Sequence, residues 1–429
     1  MRGPGEAAEP SLGTFVREWF RIGCLSFGGP AGQIALMHRE IVDRLRWVEE
    51  APFLRALNFC MLLPGPEAQQ LATWCGWRMR GTAGGLIAGG LFVLPGALVM
   101  ALLTALYIAF GRQPAVQAMF YGVQAVVLAI VAQALVRVAA RSLAHRLSAG
   151  LAVAAFLALF FFDVPFPVVV LAAGVAGSFL FPAATSVPAG SDAGWSPTLR
   201  TIGVWLLIWA APVAVAWAVL GPDARLTQVG AFFARMAAVT FGGAYAALAY
   251  VAQAAVQDYG WLGPREMLDG LGLAETTPGP LVLTFQFVGG LAGWRDGGAL
   301  GAVLGMAMVL WVTFAPSFLW IFALAPHLER LNARPRLAGA LAGITAAVVG
   351  VMANLAIWFA LNLLFGGVQA ASHGWLRLWT PSGTFDVLAA SIAVAAWLLL
   401  TRARLGMVPV LGLGTAAGLA RYAWTAVPM

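Results

Sequence analysis

Apolar residues run through this chain in long, almost uncharged stretches, punctuated by short clusters of arginine and acidic residues. A helix needs about 20 residues to cross a bilayer. Stretches of that length lie between Arg80 and Arg112, Arg112 and Arg137, Arg200 and Asp223, Asp296 and Glu329, Arg336 and Arg377, Asp386 and Arg402, and Arg404 and Arg421. The interval from Leu147 to Phe181 is interrupted by Asp163-Val-Pro-Phe-Pro167 and reads as two helices joined by a tight turn. The pattern predicts an all-α polytopic membrane protein with about nine full spans. A segment rich in Pro, Gly and Ser, Pro182 to Pro197, is the expected loop near the middle.

Four further apolar segments carry a helix breaker at the centre. They are Ile22 to Met37 with Gly28-Gly29-Pro30, Ala56 to Trp77 with Pro64-Gly65-Pro66, Met236 to Val256 with Gly242-Gly243, and Leu268 to Trp294 with Pro278-Gly279-Pro280. Such breaks free backbone groups that lipid cannot satisfy, so they occur at depth only where protein or a cavity surrounds them. The four are expected to be discontinuous or re-entrant helices; if all of them span, the helix count rises to thirteen.

The breakers recur. A shift of 214 residues places Ser26-Phe27-Gly28-Gly29 on Thr240-Phe241-Gly242-Gly243, Trp47 on Trp261, and Pro64-Gly65-Pro66 on Pro278-Gly279-Pro280 without a gap; further on, an offset of 221 pairs Pro95 with Pro316 and Gly122 with Gly343. The chain is thus a duplicated unit. The reading divides it into a cytoplasmic tail (1–13), a first copy (14–146), linking spans with the Pro/Gly/Ser loop (147–227), a second copy (228–366), and a C-terminal loop with two spans (367–429).

Composition then narrows the class. With 61% hydrophobic and 10% charged residues the chain is not a soluble domain. All 25 basic residues are Arg, and the net charge is +7. For any single Arg, anchoring a helix end is a plainer role than binding. No basic run interleaved with aromatics exists, which argues against nucleic acid. Cys24, Cys60 and Cys75, with the scattered His38, His145, His327 and His373, give no metal or disulfide spacing, so no cofactor is expected. The first dozen residues lack a signal-peptide pattern, and the N-terminus is expected in the cytoplasm.

Charge also sets orientation. With re-entrant breaks, the first copy presents Arg17, Arg21, Arg39, Arg44, Arg46, Arg55, Arg78, Arg80, Arg137, Arg141 and Arg146 on one side and Arg112 opposite. Cytoplasmic loops collect Arg, so that side faces the cytoplasm. Three spans later the second copy starts on the other face, and Arg330, Arg334 and Arg336 return to the cytoplasm. The two copies are therefore expected to be inverted, with the C-terminus periplasmic.

Inverted repeats with helices broken near the midplane recur in secondary transporters, where half-helix N-termini point at anionic groups. The expected substrate-binding positions are Ser26, Phe27, Gly28, Gly29, Pro30, Pro64, Gly65, Pro66, Gln69, Gln70, Thr240, Phe241, Gly242, Gly243, Thr276, Thr277, Pro278, Gly279 and Pro280. Glu67 and Glu275 flank the breaks and are candidates for proton coupling; the plainer role of Glu67 is to complement a helix dipole. Arg17, Arg21, Arg78 and Arg80 are candidates for an anion funnel.

The first copy reads FVREWFRIGCLSFGGPAGQIALMHREIV, followed by RWVEEAPFLRALNFCMLLPGPEAQQLATWCGWRMRGTAGGLIAGGLFVLPG; the second carries TFGGAYAALAYV and TTPGPLVLTFQFVGG. Pairing of FGGP with PGP about 35 residues later resembles the long, two-domain chromate ion transporter family over most of the chain. The second copy has Ala244 where the first has Pro30, which implies that the halves contribute unequally. The resemblance implies export of chromate from the bacterial cytoplasm across the inner membrane, giving resistance, with sulfate as a competitor. A homodimer within the membrane lipid is compatible with it. The alternatives are a transporter of sulfate, another oxyanion or an organic anion, and, more remotely, a membrane-embedded enzyme acting on a lipid-linked substrate.

Overall fold

The computed structural model describes residues 10–181, 195–241, 244–328 and 335–426. Gly242 and Gly243, Arg330 and Arg334, most of the expected central loop and tail residues 1–9 lie outside the described residues. Fifteen helices, with short π and 3-10 extensions, and one β-hairpin make up the described part.

The first copy opens with α1 (Leu12–Cys24), capped by Ser11, whose side chain accepts from the amide of Thr14. Its Phe15, Trp19 and Ile22, one helical turn apart, form a buried face. α2 (Gly29–Met37) continues into a π-helical segment (His38–Arg44), and α3 (Glu50–Cys60) precedes the Pro64-Gly65-Pro66 break. α4 (Glu67–Phe110) is two arms, since Arg80 and Gly81 leave helical geometry (φ −135°, ψ 25° and φ 62°, ψ −156°). The arms double back on each other, because a Cβ on Gly76 would stand 2.3 Å from the carbonyl of Gly84, and one on Gly84 equally close to that of Gly76. α5 (Pro114–Ser142), α6 (Arg146–Phe160), α7 (Phe166–Leu180) and α8 (Trp195–Leu220) follow.

The second copy repeats the plan: α9 (Arg225–Val239), α10 (Ala244–Gln253) with a π extension (Ala254–Asp258), α11 (Pro264–Thr276), and α12 (Thr284–Leu324). α12 is broken at Gly297 and Gly298, whose dihedrals (φ −130°, ψ 21° and φ 58°, ψ −144°) match those at the first hairpin. The contact is repeated as well: a Cβ on Gly293 would lie 2.0 Å from the carbonyl of Gly301. α13 (Pro335–Leu364) is followed by strands β1 (Val368–His373) and β2 (Leu376–Pro381), then α14 (Val387–Thr401) and α15 (Met407–Ala426). Five helical stretches (67–110, 114–142, 196–220, 281–327 and 335–364) are long and apolar enough to cross a membrane, and α6, α7 and α14 are shorter apolar helices.

Contacts divide the chain into two compact units, each drawing on both copies. The first comprises 1–102, 183–247 and 277–338, and the second 103–182, 248–276 and 339–429. In the first, α8 and α12 are stitched by reciprocal indole bonds, Trp209 Nε1 to the carbonyl of Val312 (2.9 Å) and Trp311 Nε1 to that of Ile208 (3.0 Å). In the second, α5 packs on α14 and α15, with Gly122 and Gly414 in backbone contact.

The β-hairpin stands where a loop was expected, and it closes an open helix end in the second unit. The last carbonyls of a helix lack intrahelical donors. At α6 the guanidinium of Arg377 donates to the carbonyl of Leu159 (2.8 Å), Trp379 Nε1 to that of Phe160 (3.2 Å), and the amide of Arg377 to that of Phe161 (2.7 Å). Arg377 also pairs with Asp163 (2.5 Å) and stacks on Trp379, 4.7 Å from the ring centre. Arg377→Ala is expected to lower the stability of the protein by about 1.5–3 kcal/mol, the range for hydrogen bonds to a charged group. Thermal unfolding in detergent measures it, and Arg377→Lys, which lacks the planar fork, should recover less than half of the loss.

Candidate functional site

Segments at the breaks of the two copies meet in crossed pairs in the first unit. The amide of Gly65, in the first copy's Pro-Gly-Pro, donates to the carbonyl of Thr240 in the second copy (3.0 Å). The amide of Gly279, in the second copy's Pro-Gly-Pro, donates to the carbonyl of Ser26 in the first (2.6 Å). The 214-residue shift carries either bond onto the other. Both glycines hold φ values (108° and 96°) that side-chain-bearing residues rarely adopt.

Amide side chains complete the backbone pairing. Gln33 Nε2 donates to the carbonyl of Gly279 (2.5 Å) and more weakly to that of Ser26 (3.4 Å). Gln70 Nε2 donates to the carbonyl of Pro64 (2.7 Å). Thr240 Oγ1 turns back to the carbonyl of Met236 (2.7 Å), and Thr276 Oγ1 to that of Leu273 (2.8 Å). The structure thus gathers Ser26 with Gly279, and Thr240 with Pro64, Gly65 and Gln70. It also shows that the Gly65 and Gly279 amides already have carbonyl partners, so a ligand there would be met by other donors.

Such donors are present. Ser26, Gln69, Gln70 and Ser317 are fully buried, Thr313 is 3% exposed, and Ser26 Oγ, both amide atoms of Gln69, Gln70 Oε1, Ser317 Oγ and Thr313 Oγ1 find no hydrogen-bond partner among the described residues. Gly65, Pro66, Thr240, Phe285 and Thr313 line a narrow cleft. Helix α4 starts beside it at Glu67, and the first amides of a helix are unpaired and favour an anion. Pro30 takes the equivalent place in the first turn of α2, behind Gly28 and Gly29 in left-handed geometry, while Phe27 is exposed.

Three of the four arginines expected to form a funnel have protein partners. Arg17 and Arg21 pair with Glu18 (3.5 and 3.3 Å), Arg21 also with Glu40 (3.4 Å), and Arg44 with both carboxylates, its Nε lying 2.5 Å from Glu40. Arg80 reaches the carbonyl of Pro10 and sits over the ring of Phe15. His38, isolated in the sequence, meets Glu50 (2.6 Å) and Asp43 (3.4 Å) at the surface.

The sequence profile of the chromate transporter family matches residues 13–178 and 227–419. The chain belongs to this family. It is 32% identical over 408 residues to the chromate transport protein of Pseudomonas aeruginosa, covering 92% of this chain and 94% of that one. It is 30% identical over 366 residues to the chromate transport protein of Cupriavidus metallidurans, covering 81% and 82%. No solved structure matches the chain. The transporter is a multi-pass membrane protein, as the family and the apolar helices together require.

Several polar residues of the transporter carry no motif and emerge only from the fold. Gln33, Gln286, Thr313 and Ser317 lie alone in apolar runs, yet all are buried in the first unit. In the second unit Asp269 is buried, its two oxygens accepting from Tyr107 Oη (2.8 Å) and Gln124 Nε2 (2.7 Å). Glu18, Glu40 and Arg44 had a sequence signal, since two acids stand among clustered arginines at helical spacing.

The Glu18 cluster predicts a pH dependence. Burial works against ionisation of Glu18, but hydrogen bonds and charge from Arg44, then Arg21, outweigh it and hold its carboxyl below the ordinary 4.5. A lowered value in the folded state stabilises the fold above the ordinary value, and that stability is lost as pH falls through the folded one. Thermal stability in detergent should therefore drop as pH falls below about 4.5. In Glu18→Gln this part of the slope should be absent.

Proposed function

We propose that this protein exports the chromate dianion from the bacterial cytoplasm across the inner membrane, with the N-terminus cytoplasmic and the C-terminus periplasmic. The observation that carries the reading is the crossed pairing of broken helices over buried, neutral hydrogen-bond groups in a chain of the chromate transporter family. A dianion entering an apolar layer loses its hydration and needs several converging donors in exchange. Neutral donors hold it without fixing it permanently, which transport requires.

The path is assigned to the turns at Ser26–Pro30, Pro64–Pro66, Thr240–Gly243 and Thr276–Pro280, with Gln69 and Gln70. The exchange of one crossed bond for the other under the 214-residue shift supports two copies related by a two-fold axis, and the Arg distribution supports opposite orientations. Outward movement of a dianion from an inside-negative cell releases about 4.6 kcal/mol per 100 mV, at about 2.3 per charge. Export thus needs no other driving force, and Glu67 and Glu275 are assigned to coupling only if flux proves pH-dependent. Sulfate, also a tetrahedral dianion, is the expected competitor. A second copy of the chain and the surrounding lipid are the expected partners.

Everted vesicles holding the protein should accumulate labelled chromate saturably and lose that uptake to excess sulfate; vesicles with no protein-dependent flux would refute the reading. Glu67→Gln should flatten the pH dependence of flux if Glu67 is the coupling group, and an unchanged profile removes it from that role.

A further inference from the structure

The two Pro-Gly-Pro breaks are alike in backbone but not in surroundings. A Cβ on Gly65 would meet Gln70 Nε2 at 3.1 Å and Ser317 Oγ at 3.6 Å. A Cβ on Gly279 would meet Leu283 Cδ1 at 3.1 Å, Gly96 Cα at 3.5 Å and the carbonyl of Phe92 at 4.0 Å. The repeat offsets convert one set into the other: 214 pairs Gln69 with Leu283 and Gln70 with Thr284, while 221 pairs Thr313 with Phe92 and Ser317 with Gly96. Four polar positions around the first break thus correspond to leucine, threonine, phenylalanine and glycine around the second. Even that threonine is occupied, Thr284 Oγ1 donating to the carbonyl of Leu281 (2.8 Å). All of these residues belong to the first unit.

Buried polar groups are normally hydrogen-bonded, and those left open in a native fold call for a reason. Gln69, Gln70, Thr313 and Ser317 are at least 97% buried, and each has an open polar atom among the described residues. Gln70 and Ser317 stand against one glycine turn at the start of a helix, Gln69 lies in the first turn of that helix, and Thr313 and Gly65 line the same cleft.

We propose a substrate site at the first break, in which Ser317 and Thr313 donate to a tetrahedral oxyanion together with Gln69. At the second break the turn is held by the Gly279 amide on the carbonyl of Ser26 and by Gln33 Nε2 on that of Gly279, and the open atoms there are Ser26 Oγ and Gln33 Oε1. Hydroxyl and amide donors suit an oxyanion that carries no proton, because every oxygen of such an anion accepts.

The proposal rests on the transport reading, and flux in vesicles holding full-length protein separates the two. Ser317→Ala, Thr313→Val and Gln69→Leu, the last copying Leu283 into the first break, should each raise the KM for chromate about ten-fold, the loss of about one hydrogen bond to a charged group, with a smaller change in maximal rate. Ser317→Thr should restore it, and Thr284→Val, the mirror position of Gln70, should leave KM within about two-fold. A second readout needs no flux: sulfate should raise the melting temperature of the wild type in detergent, and less so in Ser317→Ala and Thr313→Val. If the wild type carries no saturable flux, the transport reading fails. If the wild type transports while these variants keep its KM and its sulfate shift, or if Thr284→Val raises KM as they do, the proposal is overturned.

Discussion

A helix that stops inside an apolar layer leaves amides and carbonyls that lipid cannot receive, each at a cost of several kcal/mol. The architecture depends on how those groups are met. Neither copy closes its own Pro-Gly-Pro break: Gly65 gives its amide to Thr240, and Gly279 gives its amide to Ser26. A single copy would expose both ends of the bond, so the two copies are obliged to fold against each other. The amides of Gln33 and Gln70 serve the same accounting by covering carbonyls within the turns.

Charge and polarity are kept apart. The two carboxylates of Glu18 and Glu40 are matched by Arg21 and Arg44 around α1 and the π-helical turn, where water can share the burden of solvation. The groups left open deeper in the first unit, at Gln69, Thr313 and Ser317, are neutral. If the proposed site is there, an arginine in it would hold a dianion too firmly and a carboxylate would repel it. The end of α6 shows the same thrift in the second unit, since one residue, Arg377, meets two carbonyls and an aspartate.

Much of this was legible in the sequence because a bilayer imposes a length on apolar runs and a penalty on proline and glycine within them. The apolar stretches fall on helices, and three of the four predicted breaks coincide with described helix ends near Ser26, Gly65 and Gly279. The hairpin turns at Arg80-Gly81 and Gly297-Gly298 were missed, because a glycine turn between two apolar arms leaves the hydropathy profile continuous. The β-hairpin was missed because Leu376, Leu378 and Thr380 alternate over only a few residues, a period lost in a chain read at helical scale. That Glu40 lies beside Arg21, 19 residues earlier, is a contact only the fold reveals. Thr313 and Ser317 were invisible as site residues for a different reason: an isolated hydroxyl in an apolar helix usually bonds to its own backbone, and only the fold shows that these two do not.

The paired arms of α4 and α12 touch through glycine backbones, Gly76 on Gly84 and Gly293 on Gly301. Contacts between main chains have no rotamers to exchange, so at these points the arms cannot slide or splay by side-chain repacking. Each hairpin is mechanically a single stiff lever. Any movement that alternately exposes the two faces must then bend the chain at its proline and glycine turns, so that the residues proposed to hold the substrate are also the hinges.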